Sequence, residues 1–218
     1  MMISPDDVRR ALAGLPAEDS PWAALLQTSP RPAAVALPIR FTPEPTVIAI
    51  MRSAELREHA SQVAFPGGKR EPDDVDLYAT ALREMDEEVG LAGEGITRLG
   101  ELTPTPTYNG RYLIHPYVVA VDEALTAVER SSEIAQLLEL PLGAYLRGEA
   151  RMSGVMVPWG GGETSMMLPH FRLGSCVLYG ASAVIFHELV VRIAQGIGAT
   201  LPPPILEREV PWGDREPV

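Results

Sequence analysis

Between Glu84 and Glu88 the chain places four carboxylates, in the run Arg83-Glu84-Met85-Asp86-Glu87-Glu88-Val89-Gly90-Leu91. On a helix turning about 100° per residue, Glu84, Glu87 and Glu88 share a face about 100° wide, and Asp86 points away. Like charges three and four residues apart repel by roughly 0.2–0.5 kcal/mol per pair, so an ordinary helix gains nothing from this arrangement. A hard divalent cation reverses the sign. Mg²⁺ accepts carboxylate oxygens and keeps its other positions for water and the phosphates of a substrate. The other reading of such a run is a solvated acidic face. On these residues alone both stand, and the residues upstream decide between them.

The carboxylates need an element to hold them. From Asp74 to Val89 the residues Leu77, Ala81, Met85 and Val89 recur every fourth position, which predicts a helix with one buried stripe. Asp73 or Asp74 can cap its start and Gly90 can end it. The acidic face then stands opposite packed residues on one helix. The loop Phe65-Pro66-Gly67-Gly68-Lys69 leads into it, and two adjacent glycines there let backbone approach a ligand closely.

Other elements follow from the same patterns. Ser4-Pro5-Asp6-Asp7 before Val8, Leu12 and Leu15 predicts a capped N-terminal helix. Ala33–Ile39 and Thr46–Met51 read as a hairpin, with further strands at Gln62–Phe65, Ile96–Leu102, Leu113–Val121 and Ile134–Leu140. Gly154–Gly162 reads as a flexible hairpin tip, Val177–Ala194 as a second strong helix, and Leu201–Val218 as a disordered or docked extension. Strands around one central helix, with another helix at the end, predict an α/β (α+β) fold with a mixed sheet between helices. The expected organisation is an N-terminal helix and connection over 1–32, one folded domain over 33–200, and a proline-rich tail over 201–218.

Composition narrows the function. A net charge of −11 argues against nucleic acid as a partner, because such proteins carry clustered Lys and Arg. Cys176 is the single cysteine, which rules out an intramolecular disulfide or a cysteine-built metal site, and its apolar surroundings predict a small buried side chain. The N-terminal residues lack the basic and apolar segments of a secretory signal, and the longest apolar run is broken by Gly180, His187 and Glu188. The expectation is a soluble, cytoplasmic protein with no membrane partner.

Taken together, the glycine loop and the acidic helix resemble the Nudix box. From Arg83 to Leu91 every position matches that family pattern; counting from Gly68, the earlier acidic position falls on Asp74, with one extra residue before Arg83. Ahead of it, Arg52-Ser53, Arg57, Ser61 and Phe65-Pro66-Gly67-Gly68 resemble the signature of the coenzyme A pyrophosphatase branch. The chain departs from that branch at Ile48-Ala49-Ile50, where the branch has Leu-Leu-Thr, and at Ser61, where it has Gly. It also has Tyr179 where the branch tends to carry Trp before Gly180.

The resemblance implies a Nudix-type α/β/α sandwich. It implies Mg²⁺ or Mn²⁺ held by Glu84, Glu87 and Glu88, with Arg83 fixing one of these carboxylates. Glu133 is the candidate extra ligand or general base. Arg52, Ser53, Arg57, Gly67, Gly68 and Lys69 are the candidate substrate contacts. Tyr108 and Phe171 are either stacking residues or core. The implied reaction is metal-dependent hydrolysis of coenzyme A or an acyl-coenzyme A to adenosine 3′,5′-bisphosphate and (acyl-)phosphopantetheine. Two alternatives stay open: a pyrophosphatase acting on ADP-ribose, a dinucleotide or another nucleoside diphosphate derivative, and a non-catalytic nucleotide sensor. A homodimer is a further expectation of the resemblance.

Overall fold

In a computed structural model, which describes residues 3–14, 30–56, 59–159 and 164–213, the first long strand feeds two cores. Helix α1 (Pro5–Leu12) precedes it, and β1 (Arg31–Arg40) leads to β2 (Thr46–Arg52), β3 (Val63–Ala64), β4 (Gly67–Lys69) and helix α2 (Leu77–Val89). Strands β5 (Ile96–Glu101), β6 (Thr105–Pro106), β7 (Tyr112–Val121) and β8 (Ile134–Leu140) follow, then the short helix α3 (Leu142–Leu146). The remainder is β9 (Ser153–Trp159), β10 (Thr164–Leu173), β11 (Cys176–Leu178), helix α4 (Gly180–Gly196) and β12 (Ile205–Glu207).

Side chains of a strand alternate between faces, so a strand apolar on both needs cover on both. Ala34 and Ala36 of β1, with Ile48, Ile50 and Val119, pack under Ala81, Met85 and Val89 of α2. Leu37 and Ile39, with Val47 and Ala49, pack under Val8 and Leu12 of α1 and under Phe186, Leu189 and Ile193 of α4. The result is a sheet between two helical layers, as the resemblance implies. The sheet is mixed. Its main path is β3-β2-β1-β7-β5, with β4 also pairing β1, β6 pairing β7 and β8 pairing β2. β1 and β7 run parallel from Arg31↔Tyr112 to Ile39↔Ala120, and β1 runs antiparallel to β2 and β4.

Several expectations need correction. The central helix is capped by neither Asp73 nor Asp74: Asp76 is the N-cap, accepting from the Ala79 N–H at 2.7 Å. Gly90 does close it, in the left-handed conformation at φ 70°. The second helix starts at Gly180, because Cys176–Leu178 pairs with β10 first. Residues 154–159 of the expected hairpin tip belong to a full strand, β9, paired with a β10 that the sequence did not suggest; residues 160–163 lie outside the described residues. These strands form a second sheet in the order β11-β10-β9-β12, to which the proline-rich segment contributes β12. Cys176 is half-buried, with Sγ 3.8 Å from Met51 Sδ. Among the described residues no helix is long and apolar enough to cross a membrane.

Candidate active site

The pairing of β4 with β1 sets Gly67 opposite Val35 and Gly68 opposite Ala34, directly under α2. Both positions are crowded: Gly67 against backbone, which demands glycine, and Gly68 against the movable end of the Glu84 side chain. A Cβ at Gly67 would stand 2.3 Å from the Ala34 carbonyl oxygen, and one at Gly68 would stand 2.2 Å from Glu84 Oε1. The expected loop is thus a short strand that touches the acidic face. The Gly67 N–H donates to Glu88 Oε2 at 3.0 Å.

Glu84 and Glu88 line a cavity of about 790 Å³ together with Arg52, Gly67, Gly68, Lys69 and Glu133. Burial raises the pKa of both acids. Glu88 is pushed up to about 7, chiefly by burial and further by Glu84, against the opposing pull of the Gly67 N–H and Arg52. Two adjacent carboxylates, Glu84 half-buried and Glu88 buried, with too little positive charge beside them are a donor set that a hard divalent cation fits.

Arg83 organises the near edge. It bonds both oxygens of Asp74 at 3.1 and 3.2 Å, Glu84 Oε1 at 3.1 Å, Glu87 Oε2 at 3.1 Å and the Lys69 carbonyl at 3.2 Å. Asp74 also accepts from Thr80 Oγ1 at 2.9 Å and the Glu71 N–H at 2.8 Å. Its pKa is held well below the usual carboxylate range, first by Arg83. A helix cap was therefore the wrong role for Asp74: it anchors the arginine that aims Glu84.

The structure brings together some predicted residues and separates others. Glu87 does not line the cavity; its side chain is 58 % exposed and held by Arg83. Among the described residues no three His, Cys, Asp or Glu side chains are already gathered as a metal cage. Arg52 donates to Glu133 Oε2 at 3.2 Å and lies 4.0 Å from Glu88 Oε1, so it bridges the helix and the Glu133 loop. Ser53 does not line the cavity, but its N–H donates to the Glu133 carbonyl at 2.7 Å and fixes that loop. Arg57 lies outside the described residues. Lys69 Nζ stands 5.5 Å over the Tyr112 ring. Arg70 is spent on the Asp74 and Val75 carbonyls. Phe171 is core, packed against Phe186 and Tyr145, and Tyr108 is exposed and does not line the cavity.

Of the departures from the coenzyme A branch, Ile48-Ala49-Ile50 and Ser61 do not line the cavity, whereas Tyr179 does. Ile48 and Ile50 pack under α2, and Ala49 packs into the opposite core. Ser61 adopts φ 58°, a left-handed conformation that explains a preference for glycine there, and it does not line the cavity. Sequence reasoning passed over His59, Glu71, Thr107, Tyr112 and Tyr179 as lining residues. Glu71, two residues past Lys69, carried a signal in its charge, and Tyr179 one in its place before Gly180.

The NUDIX domain model matches residues 30–155. NudL of Photorhabdus laumondii, named an uncharacterized Nudix hydrolase, is 43% identical over 121 residues, which cover 56% of this chain and 64% of that protein. NudL of Yersinia enterocolitica, named likewise, is 37% identical over 161 residues, covering 74% of this chain and 80% of that protein. Among solved structures, the MutT protein from Methanosarcina mazei is similar at a TM-score of 0.48 and 17% identity, covering 78% of this chain and 96% of that one. That likeness is too loose to carry an assignment of its own. With more than half of its residues inside the domain model and a 37% identical relative matched over most of both lengths, the chain belongs to the Nudix hydrolase family.

Proposed function

We propose that this Nudix hydrolase cleaves the diphosphate of coenzyme A or an acyl-coenzyme A, giving adenosine 3′,5′-bisphosphate and (acyl-)phosphopantetheine. The observation that carries the reading is the convergence of Glu84 and Glu88 on the glycine strand, at the floor of a cavity of about 790 Å³. Glu84 and Glu88 would hold Mg²⁺ or Mn²⁺, with Glu87 joining from the rim. When bound, such an ion would supply positive charge against the phosphates and make a water easier to deprotonate.

The chain's own residues have separate tasks. Arg83 holds Glu84 at a fixed angle through charge-assisted hydrogen bonds, with Asp74 as its anchor. Arg52 places positive charge between Glu88 and Glu133, where diphosphate oxygens would lie. Glu133 stands at the cavity edge, 56 % exposed, and serves as the candidate base for the attacking water. Lys69, Gly67 and Gly68 line the approach for the phosphates. The signature residues support coenzyme A; of the departures from that branch, Ile48-Ala49-Ile50 and Ser61 lie outside the cavity, and Tyr179, which lines it, keeps an aromatic ring where the branch tends to have Trp. Incubation with Mg²⁺ or Mn²⁺ and a panel of coenzyme A, ADP-ribose and dinucleotides, with products identified by mass spectrometry, tests the substrate. Turnover of ADP-ribose or a dinucleotide in preference to coenzyme A would overturn it.

A further inference from the structure

Tyr179 lines the cavity together with Ala181 and Ser182, at the start of α4. It is the N-cap residue of that helix, and no side-chain hydrogen bond caps it there. Ring packing fixes one face of its side chain. The Trp212 indole stacks on the Tyr179 ring at 5.0 Å and 11°, and both are less than 10 % exposed, at 8 and 7 %.

Trp212 belongs to a segment that is tied down along its length. The Arg151 guanidinium donates to the Pro203 carbonyl at 2.8 Å, and the Ile205 N–H donates to the Met152 carbonyl at 2.9 Å. β12 then runs parallel to β9, from Ile205↔Ser153 to Glu207↔Val155. Glu207 accepts two bonds from Arg172, at 3.1 and 2.6 Å, and lies 3.3 Å from Nε2 of the fully buried His170. His170 in turn meets Trp212 edge-on at 5.8 Å. Chain ends fray unless such contacts hold them. Here the contacts end on an aromatic ring that touches a wall of the substrate cavity.

We propose that Trp212 is a positioning residue for that cavity. Through its stack on Tyr179, the segment Leu201–Gly213 sets the wall that meets the organic group carried by the diphosphate. The diphosphate itself faces Glu84 and Glu88. The proposal rests on the reading of this cavity as the substrate site. Without the indole, the Tyr179 ring loses its stacking partner and the first turn of α4 loses its clamp. Substrate affinity then falls while the chemical step is spared.

Two measurements on the full chain test this. In steady-state kinetics with coenzyme A and Mn²⁺, Trp212→Ala raises KM about tenfold and leaves kcat within about twofold, and Trp212→Phe restores most of the loss. In hydrogen exchange of the protein without ligand, Trp212→Ala speeds the amides of Tyr179–Ala183 about tenfold and leaves those of α2 unchanged. A lower melting temperature with KM and exchange both unchanged would make Trp212 purely structural and overturn the proposal. A fall in kcat at constant KM would overturn it equally. If Trp212→Ala does not fold, Glu207→Gln loosens the segment with the indole retained, and a KM identical to wild type refutes the proposal. A wild-type protein that hydrolyses no diphosphate refutes the functional reading instead, and the exchange measurement alone then decides the role of Trp212.

Discussion

Gly68→Ala probes the contact between the glycine strand and the acidic helix. The added methyl would stand 2.2 Å from Glu84 Oε1, 2.5 Å from Cδ and 2.9 Å from Oε2. To reach the 3.4 Å of ordinary contact, the nearest oxygen must retreat by about 1.2 Å. The carboxylate is the far end of a flexible side chain, so it can move without dragging the backbone. The loss therefore falls on geometry. Mg²⁺ takes oxygens at about 2.0–2.1 Å and tolerates little deviation, so a shift of this size removes a ligand. Misplacement by about 1 Å costs on the order of 10²-fold in rate. Stability stays within about 1 kcal/mol of wild type, since alanine at an ordinary backbone position restricts the unfolded chain. The assay is kcat/KM for coenzyme A with Mg²⁺ and with Mn²⁺, beside a urea melt. Shortening the acid as well, in Gly68→Ala/Glu84→Asp, reopens about 1.5 Å and recovers part of the activity. Full activity in Gly68→Ala with both metals would refute the assignment of Glu84 to the chemistry.

Three further outcomes follow from the same contacts. Met85→Ala empties a fully buried position under the sheet and costs about 2–5 kcal/mol in urea unfolding; a cost below about 1 kcal/mol would contradict the packing described. Ser61→Gly relieves a left-handed residue and stabilises by up to about 1 kcal/mol with KM unchanged; a shift in KM would place Ser61 in the pocket after all. The third concerns pH. Glu88 has its pKa raised from 4.5 to about 7 by burial, so the folded protein binds this proton more tightly than the unfolded chain does. Its contribution to stability is present in full below about pH 4.5 and declines as pH rises through about 7, by on the order of 3 kcal/mol in protein stripped of divalent ions. Glu88→Gln removes that slope, and a slope that persists in the variant would assign it to another group.

The central helix and the long strands were legible because their signals are local. Leu77, Ala81, Met85 and Val89 repeat at one turn, and Ile134–Leu140 occupies the expected bounds. The second sheet was less legible. β10 carries Pro169, His170 and Arg172, and its alternation is sensible only against β9 and the returning β12. Asp73 or Asp74 was the expected cap, and Asp76 takes that place. The choice is made by Arg83, nine residues beyond Asp74, which claims that carboxylate. The acidic face of the site was readable as a spacing. Its division was not: whether a glutamate faces the cavity or the rim depends on β4 lying under Glu84 and Glu88 and on Arg83 holding Glu87 outward.

Glu88→Gln gives the most direct test of the account, because it keeps the side chain's shape and its contact with the Gly67 N–H while removing the charge that a cation needs. The measurement is release of adenosine 3′,5′-bisphosphate from coenzyme A under saturating Mg²⁺ or Mn²⁺, by wild type and variant in parallel. The account predicts release by wild type that stops on chelation, and a loss of at least about 10²-fold in the variant. Equal release by both proteins, or release that chelation leaves untouched, would contradict it.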